Sequence, residues 1–221
     1  MTQSVISFIS KEVNTVVVAG KVVELAAPGD YSAKSLPLTT TLKKQLPHYL
    51  DNYDMYSSSW GEIKLDNPVL AFSYGAGPEV NALLAQEVVA LLDQGVIHAI
   101  VQWEIADIVS ALAPELAERL SAIRLSAGES YMSTAEVASK ALTMTTLRQV
   151  TIVAQAWHIT RCIRQSSPLG WQCAATRAIN EFAPSDPQPW VRHPLDWIVK
   201  ESRMRYQECT DSMGKVCACT Q

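Results

Sequence analysis

The sequence predicts an α/β protein whose main domain is a three-layer, Rossmann-like, mostly parallel sheet with helices on both faces. Two observations support this prediction. From residue 67 onward, short apolar runs alternate with longer segments of helical periodicity. The apolar runs are continuous, which is typical of strands buried on both faces of a sheet. Of the 221 residues, 48% are hydrophobic, so the chain can form the core that such a sheet needs.

The predicted elements follow one another in chain order. Each strand prediction rests on an apolar run, and each helix prediction rests on an apolar stripe with residues three or four positions apart. Pro114 divides the second helix in two, and Gly170 ends the fourth. The predicted strands are 68–75, 96–104, a short one within 121–132, 149–156 and 171–179, and the predicted helices are 78–95, 105–123, 133–147, 157–169 and 193–211.

Two regions flank the main domain, which the sequence places at residues 67–208. Residues 1–66 form a predicted N-terminal extension with a hairpin and with a helix interrupted by Pro47. Residues 209–221 form a predicted flexible tail that holds three of the five cysteines. Because no fourth ligand lies at a recognisable spacing, we interpret these cysteines as reduced thiols and predict no metal site. A thiol or metal function of the tail is the alternative.

Charge and hydropathy narrow the set of partners. The formal net charge is −4, which argues against a polyanion-binding surface, so nucleic acid is not an expected partner. The N-terminus lacks the basic start and the continuous apolar segment of a signal peptide. No run of about 18 apolar residues is present, so no membrane anchor is expected. The expected location is the cytoplasm.

A glycine-containing turn follows the first predicted strand. In the sequence "SYGAGPEVN", Gly75 and Gly77 precede a helix whose first backbone amides point outward with partial positive charge. These glycines are predicted to line a cradle for a phosphate or a carboxylate, and Asn81 on the first turn is predicted to face the same cleft. The alternative is a tight turn without a ligand, because a G-x-G alone is not the dinucleotide-binding fingerprint.

Acidic and hydroxyl side chains follow two further strands. Glu104 comes after the second strand and is a candidate ligand-binding residue, although a solvated acid at a helix N-terminus explains it equally well. Ser133, Thr134 and Glu136 begin the third helix and are candidate ligand-binding residues. A capping box explains Ser133 and Glu136 without a ligand. It does not explain Glu129, which lies outside the helix and is a candidate catalytic residue.

His158 and Arg161 follow the apolar run at 150–154. One helical turn separates them, so they share a face at the mouth of a buried strand. Arg161 can hold a phosphate, a carboxylate or an oxyanion with its guanidinium fork, and His158 can act as a donor, an acid or a base. We therefore expect His158 to be catalytic and Arg161 to bind the ligand, with Glu129 orienting His158 or binding a hydroxyl group. The alternative is an ordinary surface or core histidine beside a solvated arginine.

Three stretches, "ESYMSTAEVASKAL", "QVTIVAQAWHITRCI" and "PLGWQ", resemble the bacterial domain-of-unknown-function 218 family, which is YdcF/SanA/ElyC-like. The first stretch resembles a family motif of acidic and hydroxyl residues before a helix. In the second and third stretches, His158, Arg161 and Gly170 match the family's H-x-x-R helix and its following glycine. The resemblance covers roughly residues 67–205. The residues that match the first motif are Glu129, Ser133, Thr134 and Glu136.

The resemblance implies a Rossmann-like fold with a pocket at the strand ends. Because one member is associated with S-adenosylmethionine, it also implies that compound as a candidate cofactor. Other members are associated with the cell envelope. This sequence departs from the family where Val137 replaces an asparagine, where Cys162 replaces an alanine, and where residues 102–104 replace a Ser-Gly-Gly turn.

Two functional hypotheses follow from these residues. The first is a small-molecule-binding α/β protein whose ligand is anionic, nucleotide-like or phosphorylated. The second is a non-catalytic scaffold or sensor related to the cell envelope, which the departures from the family favour. The sequence assigns no reaction, because it has no G-x-S-x-G elbow, no metal-ligand cluster and no nicotinamide-binding fingerprint.

Overall fold

The computed structural model describes residues 56–193 together with 196, 197, 200, 201 and 204. The predicted hairpin and helix before residue 56 and the predicted cysteine tail lie outside the described residues. The chain divides into two compact units, one of Tyr56–Pro187 and one of Met1–Met55 with Gln188–Gln221. In the second unit, the described residues from 196 onward are helical and Lys200 Nζ lies 4.4 Å from the ring centre of Trp190.

The unit Tyr56–Pro187 contains a five-stranded parallel sheet with the strand order β3-β2-β1-β4-β5. All four strand pairings are parallel, so the predicted α/β fold with a Rossmann-like parallel sheet is confirmed. The order reverses between β1 and β4, and the carboxyl ends of these two strands are where open parallel sheets bind ligands. The strands are β1 (Val69–Ala71), β2 (Ala99–Gln102), β3 (Leu120–Ile123), β4 (Gln149–Gln155) and β5 (Gln172–Ile179).

The helices lie in two pairs. The first helix packs against the second, and the third packs against the fourth. The chain crosses the sheet in one direction from β1 to β3 and in the other from β3 to β5. Right-handed crossovers therefore place the two pairs on opposite faces, which gives three layers. The helices are α1 (Pro78–Asp93), α2 (Trp103–Leu112), α3 (Thr134–Ala141) and α4 (Ile159–Ser166), with 3-10 turns at Pro114–Arg119 and Ser167–Leu169.

The core explains why the strands are continuous apolar runs. The side chains of β1 and β2 are all buried, as are those of β4 after its first residue. On the face covered by α3 and α4, Leu70, Ile100 and Ile152 pack with Val137 and Cys162. Each buried Leu or Ile contributes roughly 1.5–3 kcal/mol to folding. A sheet with helices on both faces therefore needs no polar alternation in its central strands.

The second strand is shorter than the sequence predicts. It ends at Gln102, which is extended and is the N-cap of α2, so Trp103 and Glu104 are already helical. The prediction that Glu104 ends a strand is corrected, because it is the second residue of α2. The family that the sequence resembles has a Ser-Gly-Gly turn after its second strand. This chain has no such turn, because α2 begins directly after β2.

The chain before the first strand lies along the far edge of the sheet. The Ser57 amide donates to the Ala156 carbonyl at 2.9 Å, and Trp60 forms an antiparallel bridge with Thr176 of β5. Gly61 has a φ of +78°, and a Cβ there would lie 2.6 Å from the Ala174 carbonyl oxygen. This segment shields β5, which would otherwise expose an unpaired strand edge.

Candidate functional site

Three connections of the sheet meet at His158. The side chain follows β4 as the N-cap residue of α4, and its Nε2 lies 3.2 Å from Oγ1 of Thr134 at the start of α3. The ring centre of Tyr74, which follows β1, lies 6.1 Å from that of His158, and the ring centre of Phe72 lies 6.3 Å away. His158 is 8% exposed. The structure thus brings His158 and Thr134, both predicted site residues, together where the strand order reverses.

Arg161 lies on the first turn of α4 and is 5% exposed. Its neighbour Thr160 is also buried, so this turn carries polar side chains into the protein. A buried guanidinium is stable only with hydrogen-bonding or charged partners, because removing it from water is costly. Arg161 is therefore not the solvated surface arginine of the alternative. We use the name switch-point site for Tyr74, Thr134 and His158, which are in contact, together with Arg161, which lies three residues after His158 on α4.

The predicted glycine turn is held by Asn81. Gly75 has a φ of +81°, a conformation that favours glycine. Oδ1 of Asn81 accepts a hydrogen bond from the Tyr74 amide at 2.9 Å, and its Nδ2 donates to the Gly77 carbonyl at 2.8 Å. The Asn81 side chain, which the spacing predicts to face a ligand, instead binds the backbone of the turn and positions it.

The first amide of the predicted anion cradle is bound by a carboxylate of the chain itself. Gly77 is the N-cap of α1, and its N–H donates to Oδ2 of Asp186 at 2.6 Å. Asp186 is 2% exposed. Sequence reasoning missed Asp186, although it follows β5 and therefore lies at the same edge of the sheet as the other candidates. A search for polar residues after every strand, including the last, would have identified Asp186 as a candidate.

A polar group lies at the ends of β1 and β2. The Ser73 amide donates to Oε1 of Gln102 at 3.2 Å, and Nε2 of Gln102 lies 3.5 Å from Oε1 of Glu104. Burial raises the pKa of Glu104 above its ordinary value, while hydrogen bonds from its own backbone and from Ser73 oppose this change. Glu104 is therefore a partly desolvated carboxyl group beside the strand ends.

The predicted capping box of α3 is confirmed. Oγ of Ser133 accepts from the Glu136 amide at 3.3 Å, and Oε2 of Glu136 accepts from the Ser133 amide at 2.6 Å. Hydrogen bonds that the Glu136 carboxylate accepts from the Ser133 side chain, which is the largest cause, and from the Ser133 amide lower the pKa of Glu136. Ser133 and Glu136 thus stabilise the start of α3, while Thr134, the next residue after the cap, contacts His158.

Glu129 lies in an exposed turn and binds other groups than the predicted ones. Its Oε2 accepts from the Ser126 amide at 2.7 Å and from Nζ of Lys140 at 3.0 Å. These hydrogen bonds lower the pKa of Glu129, with the backbone bond from Ser126 as the largest cause. The Glu129 carboxylate is therefore engaged by the turn and by α3, whereas Thr134 contacts His158.

An aromatic cluster lies beside the switch-point site, formed by Tyr56, Tyr74, Trp157 and Phe182. The ring centre of Trp157 lies 5.7 Å from that of Tyr56 and 5.8 Å from that of Phe182, both edge to face. Phe182 also contacts Tyr74 at 6.0 Å. Trp157 is half-buried, so its ring takes part in this wall without belonging to the core. Trp171, by contrast, is buried and donates to the Ala138 carbonyl.

The described part of the chain was searched for three further features: a metal site, an activated thiol and a membrane-spanning helix. Among its residues, no group of three or more His, Cys, Asp or Glu side chains could hold a metal ion. Burial raises the pKa of Cys173 to about 11, so this thiol is not activated as a nucleophile. No helix within the described residues has the length and apolar character needed to cross a bilayer.

The strand order and the position of His158 define a Rossmann-like α/β protein with a polar and aromatic site at its switch point. No family model matches the chain, and neither the curated proteins nor the solved structures gave a match.

Proposed function

We propose that this chain is a small-molecule-binding α/β protein whose ligand is nucleotide-like or phosphorylated. The observation that carries the proposal is the contact between His158 and Thr134 beside Tyr74. Three separate strand–helix connections supply these residues, and they meet where the order of the parallel sheet reverses. Open parallel sheets bind their ligands at this place, outside the carboxyl ends of the strands.

The residues of the switch-point site suit an anion attached to a flat ring. The Arg161 guanidinium offers a planar fork that fits a phosphate or a carboxylate. His158 supplies a second donor, and the Thr134 hydroxyl at 3.2 Å fixes the orientation of its ring. The half-buried ring of Trp157 offers an apolar face to a base. If the protein carries out a reaction, His158 is the group placed to act as acid or base.

The family resemblance supports S-adenosylmethionine as one candidate among such ligands. In this proposal Glu104 binds the ribose hydroxyl groups, because it lies on the first turn of α2, directly after β2, beside Ser73 and Gln102. An acidic side chain at that position is how dinucleotide-binding sheets hold a ribose. The partly desolvated carboxyl group supports this assignment.

A second candidate is a non-catalytic scaffold or sensor, for which the resemblance suggests a role related to the cell envelope. One observation favours it. The Gly77 amide, at the turn that would cradle a ligand phosphate, is bound by Asp186 of the same chain. Because Asp186 already occupies the amide that a ligand phosphate would bind, the protein can act through contacts of its surface with a partner and not through a bound ligand.

Thermal shift measurements separate the two candidates. Wild-type protein, His158→Ala and Arg161→Ala are each screened against S-adenosylmethionine, AMP, a sugar nucleotide and inorganic phosphate. Arg124→Ala is the matched control, since Arg124 is an exposed cation paired with Asp107 on α2. A ligand at about 100 times its Kd stabilises the fold by roughly 2.7 kcal/mol. A shift that the control keeps and both site variants lose supports ligand binding, and no shift with any compound supports the scaffold.

A further inference from the structure

The segment after β5, residues 180–187, lies across the carboxyl ends of the two central strands, and we call it the strap. Nε2 of Gln155 at the end of β4 donates to the Glu181 carbonyl at 3.1 Å. Phe182 contacts the rings of Tyr74 and Trp157, which follow β1 and β4. At the far end of the strap, Asp186 binds Gly77. The strap therefore touches both sides of the place where the strand order reverses.

The anchors named above are contacts of separate side chains, and residues 180–187 belong to no strand. Between Phe182 and Asp186 the chain makes one turn, in which the Asp186 amide donates to the Ala183 carbonyl at 3.0 Å. Ala183 and Asp186 are buried, whereas Pro184 and Ser185 are exposed. A segment that is held at separate points, with no regular secondary structure of its own, opens more easily than the sheet below it.

Asp186 makes the most polar of these anchors. Its carboxylate accepts from the N–H at the N-cap of α1, where a negative charge is stabilised by the helix dipole and by the unpaired amides. The fit is close, because a Cβ on Gly77 would lie 3.1 Å from Oδ2 of Asp186. The phosphate or carboxylate of a ligand would offer this amide the same kind of oxygen.

We propose that the strap is a closing device for the switch-point site and that the bond between Asp186 and Gly77 is its latch. With the latch made, the strap covers the ends of β1 and β4. With the latch broken, residues 180–187 lift and the amide of Gly77 is exposed. The inference that the strap closes over the strand ends depends only on the contacts of the strap. The inference that its opening admits a ligand also depends on the proposed function. For a ligand that needs the open form, the apparent Kd is the intrinsic Kd divided by the open fraction.

Hydrogen exchange measured by mass spectrometry tests the latch without any ligand. Asp186→Ala removes the acceptor, and Ser185→Ala is the matched control because Ser185 is exposed in the same segment. Loss of a charge-assisted hydrogen bond is expected to speed local exchange about tenfold to a hundredfold. The faster exchange is expected in peptides that cover 180–187 and 74–80. Exchange in 150–154 of β4 and in the Ser185→Ala protein should match the wild type.

Two outcomes overturn the latch. Exchange in 180–187 that is unchanged in Asp186→Ala means that the carboxylate does not hold the strap. Faster exchange in 150–154 as well means that Asp186 supports the whole fold as a helix cap. Asp186→Asn keeps an acceptor oxygen and loses the charge, so it gives a milder variant if the alanine variant does not fold. Its strap should exchange at a rate between those of the wild type and of Asp186→Ala, and a wild-type rate overturns the latch.

A ligand arm separates the strap from the proposed function. AMP is the probe, and its Kd is measured for the wild type, Asp186→Ala and Ser185→Ala. Tighter binding by Asp186→Ala alone supports a latch that opposes entry. If no protein binds AMP while exchange in the strap rises as expected, the strap stands and this ligand assignment fails. If AMP binds the wild type and Asp186→Ala equally, the strap does not close the site.

Discussion

Oγ1 of Thr134 lies 3.2 Å from Nε2 of His158, although 24 residues separate them in the sequence. One residue begins α3 and the other precedes α4, so the contact ties together the two helices on one face of the sheet. The hydroxyl either donates to the ring nitrogen or accepts from it, according to which nitrogen carries the proton. In both cases it limits rotation of the imidazole beside Tyr74.

Thr134→Val should lower the free energy of unfolding by about 1 kcal/mol, which is the usual loss for a hydrogen bond between partly buried groups. Valine keeps the shape of threonine and removes the hydroxyl group. The measurement is urea unfolding of the wild type and the variant at the same pH. Thr134→Ser is the control, because it keeps the hydroxyl and removes a methyl group. A loss of stability in Thr134→Ser with none in Thr134→Val would show that the methyl group matters and the hydroxyl does not.

The sheet and its helices could be predicted because their signals are local. Continuous apolar runs predict the buried strands, and the capping box of Ser133 and Glu136 predicts the start of α3. The position of His158 after β4 was visible for the same reason. A strand that ends in a buried parallel sheet leaves its next residues at the carboxyl edge, whatever their identity.

The missed features depend on contacts between distant parts of the chain. The Gly77 amide donates to Asp186 across 109 residues, and the Ala178 amide of β5 donates to Oγ of Ser59, 119 residues away. No local periodicity records such pairs. Asn81 shows a further limit, because spacing placed it on the first turn of α1 but could not show that its side chain turns back onto the backbone.

Gly61→Ala should be much more destabilising than Gly128→Ala. Both glycines have a left-handed φ, so an alanine at either costs about 1 kcal/mol in backbone strain. At Gly61 a Cβ would also lie 2.6 Å from the Ala174 carbonyl oxygen, whereas at Gly128 it would meet nothing within 4 Å. The clash adds roughly 2 kcal/mol, for a total of about 3 kcal/mol. Chemical unfolding of both variants measures the difference.

The difference between these two glycine variants tests the packing of the chain before β1 on β5. If Gly61→Ala and Gly128→Ala lose the same stability, the segment does not lie against Ala174 in solution. A larger loss at Gly61 supports the close approach, since backbone strain is common to both. The same variant should also speed hydrogen exchange in β5, because its edge loses the cover that Trp60 provides.

Glu104 and Glu136 should give stability profiles of opposite sign with pH. The folded pKa of Glu104 is raised by burial, so its contribution to stability is full below the unfolded pKa and is lost as the pH rises through the folded pKa. Glu104→Gln removes this titration, and it should gain stability relative to the wild type as the pH rises from about 4 to about 7.

The folded pKa of Glu136 is lowered by its hydrogen bonds with Ser133, so its contribution is present above the unfolded pKa and is lost as the pH falls through the folded pKa. Glu136→Gln should therefore be less stable than the wild type at neutral pH, and the difference should shrink in acid. Urea unfolding of the wild type, Glu104→Gln and Glu136→Gln across this pH range gives both profiles.

A Glu104→Gln profile parallel to that of the wild type would mean that the Glu104 carboxyl group is solvated. That result would remove the desolvation that supports its ligand-binding assignment. The opposite slopes arise because burial favours the neutral acid, whereas a capping box favours the carboxylate.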